Sequence, residues 1–285
     1  MRAFVVDAFT SVVFGGNQAG VVLLDGDTPF PEEELMQAIA GELKHSETAF
    51  VRWLGEDRLH IRYFTPTGEV ELCGHATIAS FSVLRELGFL SDGSFTLVTA
   101  AGDQTVRMEN GKVFLTIRPV RILRELTEEE CAEVLTAYGL GREHVWPGLK
   151  AALVNSGLTD ILLPVRDREA LMSAVQNEQV VSDLSRRNNA VGVHMFCPGE
   201  GEVAARCSNF APLWGIPEEC ATGTANAGLT AYLVNRNVLS AEGEHLIVQG
   251  EHMDRRSEIR TRSVGNDAVE VGGTAVISME LLLRI

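Results

Sequence analysis

The sequence predicts an α/β protein built from two similar halves, each a curved sheet around one largely apolar helix. Short segments rich in β-branched and aromatic residues recur along the chain and alternate with helical patterns. Two helical segments open alike, reading CGHATIASFSVLREL from Cys73 and CATGTANAGLTAYLV from Cys220. These cysteines lie 147 residues apart, about half of the 285-residue chain, which is typical of a duplicated domain.

The predicted strands run from one end of the chain to the other. β-branched and aromatic residues concentrate in each of them, and several alternate polar with apolar positions. An Asn and Gly turn leads into a strand twice, in GNQAGVVLL from Gly16 and in NSGLTDILLPV from Asn155, which is a second echo between the halves. The predicted strands are residues 3–6, 19–24, 48–53, 59–64, 95–98, 113–117, 161–165, 246–249, 258–262 and 275–285.

Four segments have helical periodicity. The first, residues 31–43, opens with Pro31 and three acids, which suit the first turn of a helix. The second, residues 127–138, begins with a Thr127–Glu130 capping box. The other two are residues 74–87 and 221–238, each following a cysteine.

Composition excludes several classes of function. The formal net charge of −15 argues against nucleic acid as a partner, because phosphate binding depends on clustered Lys and Arg. No apolar run reaches the roughly 18 to 20 residues that span a bilayer, and acidic and glycine residues interrupt the N-terminus where a signal peptide would stay apolar. No glycine-rich phosphate loop occurs. We therefore expect a cytoplasmic protein.

The cysteines do not form a recognisable framework. They are odd in number, scattered and without a CxxC pair, so neither disulfides nor a zinc knuckle is indicated. Three of them are interpreted as structural, and two, Cys73 and Cys220, precede predicted helices. The five are Cys73, Cys131, Cys197, Cys207 and Cys220.

The order and spacing of several motifs resemble those of the PhzF-like (phenazine biosynthesis-like) family, within the diaminopimelate epimerase superfamily. The resemblance extends over the whole chain and is weakest between residues 121 and 205. The matching motifs are VDAFT, FGGNQAGVVL, HSETAFV and IRYFTPTGEVELCGHAT in the first half, and NFAPLWGIPEECATGTAN, AYLV and GGTAVI in the second.

The resemblance implies a fold of two similar epimerase-like domains that face each other across a cleft. The expected domains are residues 1–118 and 119–275, with the last strand, residues 276–285, returning to the first domain. The family works with no organic cofactor and no metal, and its members often form homodimers. The resemblance thus implies a cofactor-independent isomerase acting on a small carboxylate substrate.

The resemblance places the catalytic acid/base at Glu47, in the SETAF motif. A carboxylate in a cleft can take a proton from an acidic carbon and return it elsewhere if burial raises its pKa toward neutrality. The resemblance also places His75 beside the substrate, where it can help to move protons. Glu47 and His75 are therefore predicted to be catalytic.

Helix starts supply the predicted binding sites. Free N–H groups and the helix dipole at Gly74 and Thr77, and at Gly223 and Thr224, favour a substrate carboxylate. Asn17 is a further predicted substrate contact, although a turn-forming role suits it nearly as well.

The second helix departs from the pattern of phenazine-making members, which read EDPATGSA where this chain reads EECATGTA. Glu219 replaces an Asp with a substrate or proton-relay role, and Cys220 stands where Pro is usual. Diaminopimelate epimerase and proline racemase use one Cys from each half, and a helix N-terminus lowers the pKa of a thiol. A pair formed by Cys73 and Cys220 is thus an alternative catalytic set.

Three functions stay open from the sequence. The first is a proton-shifting isomerase with Glu47 as acid/base, assisted by His75 and Glu219. The second is an amino-acid racemase or epimerase using Cys73 and Cys220, and the third is a non-catalytic metabolite-binding protein. The expected substrate is a small carboxylate with a labile C–H, such as an amino acid or an aromatic relative of one.

Overall fold

The computed structural model describes residues 1–26, 28–55 and 57–284. The chain divides into two compact units. The first unit comprises Met1–Thr116 with Gly272–Ile285, and the second comprises Ile117–Val271. Ile285, the end of the last predicted strand, lies outside the described residues.

The first unit alternates strands with two helices. The crossover helices separate the strands that become parallel neighbours, as a parallel connection requires. Its elements up to the division are β1 (Arg2–Ala8), β2 (Asn17–Leu23), α1 (Glu33–Leu43), β3 (Thr48–Gly55), β4 (Arg58–Phe64), β5 (Glu69–Val70), α2 (Gly74–Glu86), β6 (Gly93–Thr99), β7 (Gly102–Glu109) and β8 (Lys112–Ile117).

Neighbouring strands of the first unit pair in both antiparallel and parallel directions. β1 pairs antiparallel with β2, β2 parallel with β3, and β3 antiparallel with β4. β4 then pairs parallel with β6, β6 antiparallel with β7, and β7 antiparallel with β8. The short strand β5 pairs with the end of β4. The C-terminal strand, Ala275–Leu282, returns to pair antiparallel with β1 along its whole length.

Helix α2 is the centre of the first unit's core. It contacts β1, β2 and β3, and nearly every side chain from His75 to Leu84 is buried. Burial on nearly all of its sides makes α2 a core helix. None of the described helices has both the length and the apolar character needed to cross a membrane.

The second unit contains more helices but a related order of strands. Its elements, followed by the returning strand of the first unit, are β9 (Arg121–Glu125), α3 (Glu128–Thr136), β10 (Ala152–Asn155), β11 (Thr159–Pro164), α4 (Arg168–Ser173), α5 (Glu178–Asn188), β12 (Gly192–Pro198), β13 (Val203–Ala211), β14 (Ile216–Glu219), α6 (Gly223–Asn235), β15 (His245–Gln249), β16 (Ser257–Val264), β17 (Ala268–Gly273) and β18 (Ala275–Leu282). The predicted capping box at the start of α3 is confirmed, because Thr127 and Glu130 each accept a hydrogen bond from the other's backbone N–H.

The second unit repeats the pairing directions of the first. β10 pairs antiparallel with β11, β11 parallel with β12, and β12 antiparallel with β13. β13 then pairs parallel with β15, across α6, and β15 antiparallel with β16. The short strand β14 pairs with the end of β13, as β5 does with β4. The two units thus share one topology, which confirms the duplicated α/β fold.

The register of the duplication differs from the one that the cysteines suggest. Helices α2 and α6 both have 13 residues, and their first residues, Gly74 and Gly223, lie 149 residues apart. Just beyond both helices the backbone is left-handed, with φ of 77° at Gly88 and 57° at Asn237. Phe89 N–H then donates to Leu84 O, and Val238 N–H to Leu233 O, at 2.9 Å in both units.

When α2 and α6 are aligned in this register, the residues that precede them are not both cysteines. The residue that stands before α2 is Cys73, and the residue that stands before α6 is Thr222. Cys220 lies two residues earlier. The prediction that the second helix begins at residue 221 is therefore wrong, because Thr222 is still extended, with φ of −126° and ψ of 100°.

Candidate active site

Glu47 is held at the start of a central strand of the first unit. Its carbonyl oxygen accepts a hydrogen bond from Gly20 N–H at 3.0 Å, which fixes the backbone just before β3. Its side chain is 21% exposed, so the carboxylate is mostly buried but still reachable. In the second unit the residue just before β12 is Val191. The repeat therefore carries a carboxylate at this position in the first unit only.

Cys73 and His75 reach the same point from the start of α2. Cys73 is the N-cap residue and His75 is the second residue of the helix, and both are 7% exposed. His75 Nε2 lies 3.2 Å from Glu47 Oε2 and 3.2 Å from Ser46 Oγ. Cys73 Sγ lies 3.4 Å from His75 Nδ1. Glu47, Cys73 and His75 thus form one cluster, which we call the Glu47–Cys73–His75 cluster.

The pKa of Glu47 is lowered, so the condition attached to its acid/base role, a pKa raised toward neutrality by burial, is not met in this structure. Burial alone raises the pKa of this carboxyl group, but its contacts with His75, Ser46 and Cys73 outweigh burial. The carboxylate is therefore the stable form near neutral pH.

The pKa values of His75 and Cys73 are both raised. Burial alone lowers the pKa of His75, but its contacts with Cys73 and Glu47 raise the pKa well above its usual value. Burial is the largest influence on Cys73 and raises the pKa of its thiol, although His75 acts in the other direction. The prediction that the helix start lowers the pKa of this thiol is therefore wrong, because desolvation outweighs the helix dipole.

These charges place a base beside an acid. The pKa directions favour the charged forms of Glu47 and His75 and the protonated thiol of Cys73. Glu47 Oε2 is buried and accepts no well-aligned hydrogen bond among the described residues, although the imidazole nitrogen is near. Such a lone pair is available to accept a proton from a bound molecule.

Of the two residues predicted to bind an anion at the start of α2, Gly74 is exposed and Thr77 is buried. Gly74, the first residue of the helix, is exposed, and the first N–H groups of a helix have no partner within it. Thr77 is fully buried, and both its N–H and its hydroxyl bond to Cys73 O, at 3.0 and 2.7 Å. Its hydroxyl also contacts Tyr63 OH at 2.5 Å. Thr77 therefore stabilises the helix start, and its placement does not support the predicted substrate contact.

Asn17 is the first residue of β2, where it pairs with Ala8 of β1, and it is 6% exposed. Asn17 thus belongs to a paired strand that follows a turn, and its substrate contact stays a prediction.

In the second unit, Glu219 ends β14 close to the start of α6. Its Oε2 accepts a hydrogen bond from Thr222 Oγ1 at 2.6 Å, and its carbonyl oxygen accepts one from Gln249 Nε2 at 2.7 Å. Gly223 and Thr224 are the first two residues of α6 and are half-buried. The roles predicted for Glu219, Gly223 and Thr224 in binding and proton transfer stay predictions.

Cys220 is buried in an extended segment before α6. A Cβ built on Gly250 would lie 2.7 Å from Cys220 O, so the backbone around Cys220 is closely packed. Of the three cysteines interpreted as structural, Cys197 and Cys207 are buried, with thiol pKa values raised chiefly by desolvation, and Cys131 is half-buried.

Sequence reasoning missed Ser46 and Asp160. Ser46 precedes Glu47 in the same motif, so its contact with His75 could have been anticipated. Asp160 is 4% exposed in β11, and burial, followed by the negative charge of Glu219, raises its pKa to about 7. A single Asp within the apolar run TDILLPV was the available signal.

Two repeated units, each with a core helix enclosed by a sheet, and an acid/base cluster at one helix start define the class of protein. This fold is the diaminopimelate-epimerase-like fold, found also in a probable proline racemase from Agrobacterium radiobacter, with a TM-score of 0.62 and 14% identity over 100% of this chain and 93% of that one.

The chain belongs to the phenazine biosynthesis-like protein family, whose sequence profile matches residues 6–281. It is 35% identical to a Deinococcus radiodurans protein named as an uncharacterized isomerase, over 96% of this chain and 92% of the relative. The crystal structure of the Bacillus anthracis phenazine biosynthesis protein of the PhzF family matches with a TM-score of 0.84 and 27% identity, covering 100% and 99% of the two chains. The predicted family, fold class and assignment as an isomerase are confirmed.

Proposed function

We propose that this chain is a cofactor-independent isomerase that moves a proton within a small, amino-acid-like carboxylate, with Glu47 as the group that takes and returns the proton. The observation that carries the proposal is the 3.2 Å contact between the Glu47 carboxylate and the His75 imidazole in a mostly buried site. Positioned acid/base groups of this kind contribute about 10² to 10⁴ in rate.

The charges of Glu47 and His75 determine which proton transfer the site can perform. Glu47 takes the proton from a substrate carbon, and the electron pair left behind is delocalised into the neighbouring unsaturated group. The His75 imidazolium stabilises that negative charge. Glu47 then returns the same proton to another carbon, so that no proton or electron is gained or lost overall. One carboxylate on one face of the substrate performs both transfers on that face.

A carboxylate with a lowered pKa is a weak base, which limits the substrate. The C–H bond must be acidified by an adjacent carbonyl, imine or conjugated system for Glu47 to remove its proton. The backbone N–H of Gly74, an exposed residue at the start of α2, offers a place for the substrate's carboxylate next to the cluster. This local site matters because the net charge of −15 repels anions in general.

The two-thiol alternative has less support from the described residues. Its first thiol, Cys73, has a raised pKa and is protonated at neutral pH. Its second, Cys220, does not occupy the position before α6 that Cys73 occupies before α2. The two-thiol mechanism and the non-catalytic binding protein therefore remain alternatives, and the exchange experiment described next distinguishes them from the Glu47 mechanism.

Hydrogen–deuterium exchange at carbon tests the proposal. The purified protein is incubated in D₂O with a panel of amino acids, hydroxyproline-like acids and aromatic amino acids, and NMR reports carbon-bound deuterium. Glu47→Gln should lower the exchange rate by at least about 100-fold. Glu42→Gln makes the same change at an exposed position of α1 and should leave the rate unchanged.

Cys220→Ser separates the alternatives. Exchange that survives in Cys220→Ser and fails in Glu47→Gln supports the carboxylate mechanism. Loss in Cys220→Ser, together with formation of the opposite stereoisomer by the wild type, would instead establish the two-thiol mechanism. Carboxylate binding without exchange for any member of the panel would favour the non-catalytic binding protein.

A further inference from the structure

Three side chains of different chemistry converge at the start of α2. The nearest carboxylate oxygen, thiol sulfur and imidazole nitrogen of the Glu47–Cys73–His75 cluster all lie within 4.8 Å of one another. His75 Nε2 is 3.2 Å from Glu47 Oε2 and 3.9 Å from Cys73 Sγ, and its Nδ1 is 3.4 Å from the same sulfur. The edge of the His75 ring that carries its two nitrogens thus faces both the Glu47 oxygen and the Cys73 sulfur.

These separations are close to the edges of a tetrahedral zinc site. Zn–N and Zn–O bonds of about 2.0 Å and a Zn–S bond of about 2.3 Å put N and O about 3.3 Å apart, and S and N about 3.5 Å apart. The observed separations of 3.2 and 3.9 Å differ from these by a few tenths of an ångström.

The donor set selects the ion. Thiolate and imidazole ligands suit Zn²⁺, whereas Mg²⁺ and Ca²⁺ require oxygen ligands. Cys73 and His75 are buried, which shields the bonds from water, while the partly exposed Glu47 leaves a route from solvent. Three protein ligands leave the fourth position for water or for an anion.

We propose that the Glu47–Cys73–His75 cluster binds Zn²⁺ and that the bound ion switches the acid/base site off. On binding, the S–H bond of Cys73 and one N–H bond of the His75 imidazolium break, both protons pass to solvent, and the sulfur binds zinc as a thiolate beside the freed ring nitrogen. Glu47 and one nitrogen of His75 are then committed to the metal and cannot move a substrate proton. Zn²⁺ acts as an inhibitor here and not as a cofactor. The binding step is independent of the proposed function, whereas the inhibition step rests on it.

Metal titration of the chelator-treated protein tests the binding step. Co²⁺ serves as the coloured probe, because a cobalt–thiolate bond gives a charge-transfer band that other cobalt ligands do not, and Zn²⁺ should displace it at one ion per chain. Cys73→Ser should remove the charge-transfer band, and both Cys73→Ser and His75→Gln should weaken Zn²⁺ binding by at least about tenfold. Circular dichroism checks that each variant is folded.

Two other cysteines provide the matched controls. Cys131→Ser, half-buried in α3, and Cys220→Ser should keep the charge-transfer band and the Zn²⁺ affinity of the wild type. Zn²⁺ binding of equal strength in folded Cys73→Ser or His75→Gln would overturn the site. Absence of a charge-transfer band in the wild type would overturn it as well.

The inhibition step has its own readout in the D₂O exchange assay. Stoichiometric Zn²⁺ should abolish exchange, and a chelator should restore it. Zn²⁺ bound through Cys73 and His75 without loss of exchange would overturn the switch and the role of Glu47, while the metal site stands. If Glu47→Gln abolishes exchange but Zn²⁺ does not bind, the metal site is overturned and the proposed function stands.

Discussion

Replacing Asp160 by asparagine should stabilise the protein increasingly as the pH rises from about 4 to about 7. Asp160 is buried in β11, where it pairs with Gly192 of β12, and its pKa is raised to about 7 by burial and by the charge of Glu219. In the unfolded chain the same carboxyl has its ordinary value of 3.8. The folded protein therefore holds a proton that the unfolded chain releases.

The size of the effect follows from that difference. A rise from 3.8 to about 7 is about three pKa units, each equal to about 1.4 kcal/mol, which gives a cost on the order of 4 kcal/mol. Because the folded state binds more protons between the two pKa values, the free energy of unfolding falls as the pH rises through this window and levels off above pH 7. Asparagine cannot ionise, so the free energy of unfolding of the variant does not fall in this way as the pH rises. Burial of its amide subtracts a constant amount and leaves the slope unchanged.

Hydrogen exchange of the β11 and β12 amides under denaturant, measured from pH 4 to pH 8, reports the stability of the second unit directly. The difference between Asp160→Asn and wild type should grow by about 1.4 kcal/mol per pH unit and then become constant. Asp57→Asn makes the same change at an exposed position of the first unit and should show no such slope. A difference that does not vary with pH would refute the assignment of a protonated, buried Asp160.

Two further predictions concern local structure. Thr127→Ala removes the half of the capping box in which the Thr127 hydroxyl accepts from Glu130 N–H, and keeps the half in which Thr127 N–H donates to the Glu130 carboxylate. It should lower the free energy of unfolding by about 1 kcal/mol in urea titrations, and an unchanged midpoint would contradict the capping role. Gly192→Ala places a Cβ 1.9 Å from Phe210 O in a central strand and should cost about 3 kcal/mol. Gly68→Ala, where a Cβ would meet nothing within 4 Å, is the matched control and should be nearly neutral.

The parts of the fold that local signals determine could be predicted from the sequence. Helices α1 and α2 begin and end within two residues of the predicted bounds, because acidic first-turn residues or a cysteine and glycine mark the start and a left-handed residue marks the end. The predicted start of α6 was two residues early because Ala221 suits a helix, whereas Thr222 is extended. Thr222 N–H bonds to Gln249 Oε1 at 3.1 Å, and a contact with such a distant residue is not visible in the local sequence.

The region between α3 and β14 was largely missed for a different reason. Strand β12 is buried on both faces, so its sequence GVHMFCP is a continuous apolar run without the alternation that marks a half-buried strand. Its partner β13 was missed with it. Helix α5 did carry signals that could have been used, since Asn177 caps its start and Asn189 is left-handed at its end.

The candidate site shows a sharper limit. Glu47 and His75 are 28 residues apart in sequence, and only the resemblance of their motifs predicted that they act together. The lowered thiol pKa that the helix start predicted for Cys73 was wrong, and the rise by burial that the acid/base role of Glu47 required is not met. Contacts with neighbouring side chains, chiefly His75, decide the pKa direction of Glu47, and desolvation decides that of Cys73. Neither influence is visible in the sequence around one residue.

The same cluster explains why the chain can hold a carboxylate in a buried position at all. An isolated buried carboxylate would take up a proton, but Glu47 lies beside a His75 that is more stable when charged than when neutral. Under the proposed function, a substrate that separates the two would weaken this mutual support and raise the pKa of Glu47, and the carboxylate would then be a stronger base when the C–H bond breaks. The proposed role of Glu47 as a base is therefore compatible with its lowered pKa in the unbound protein.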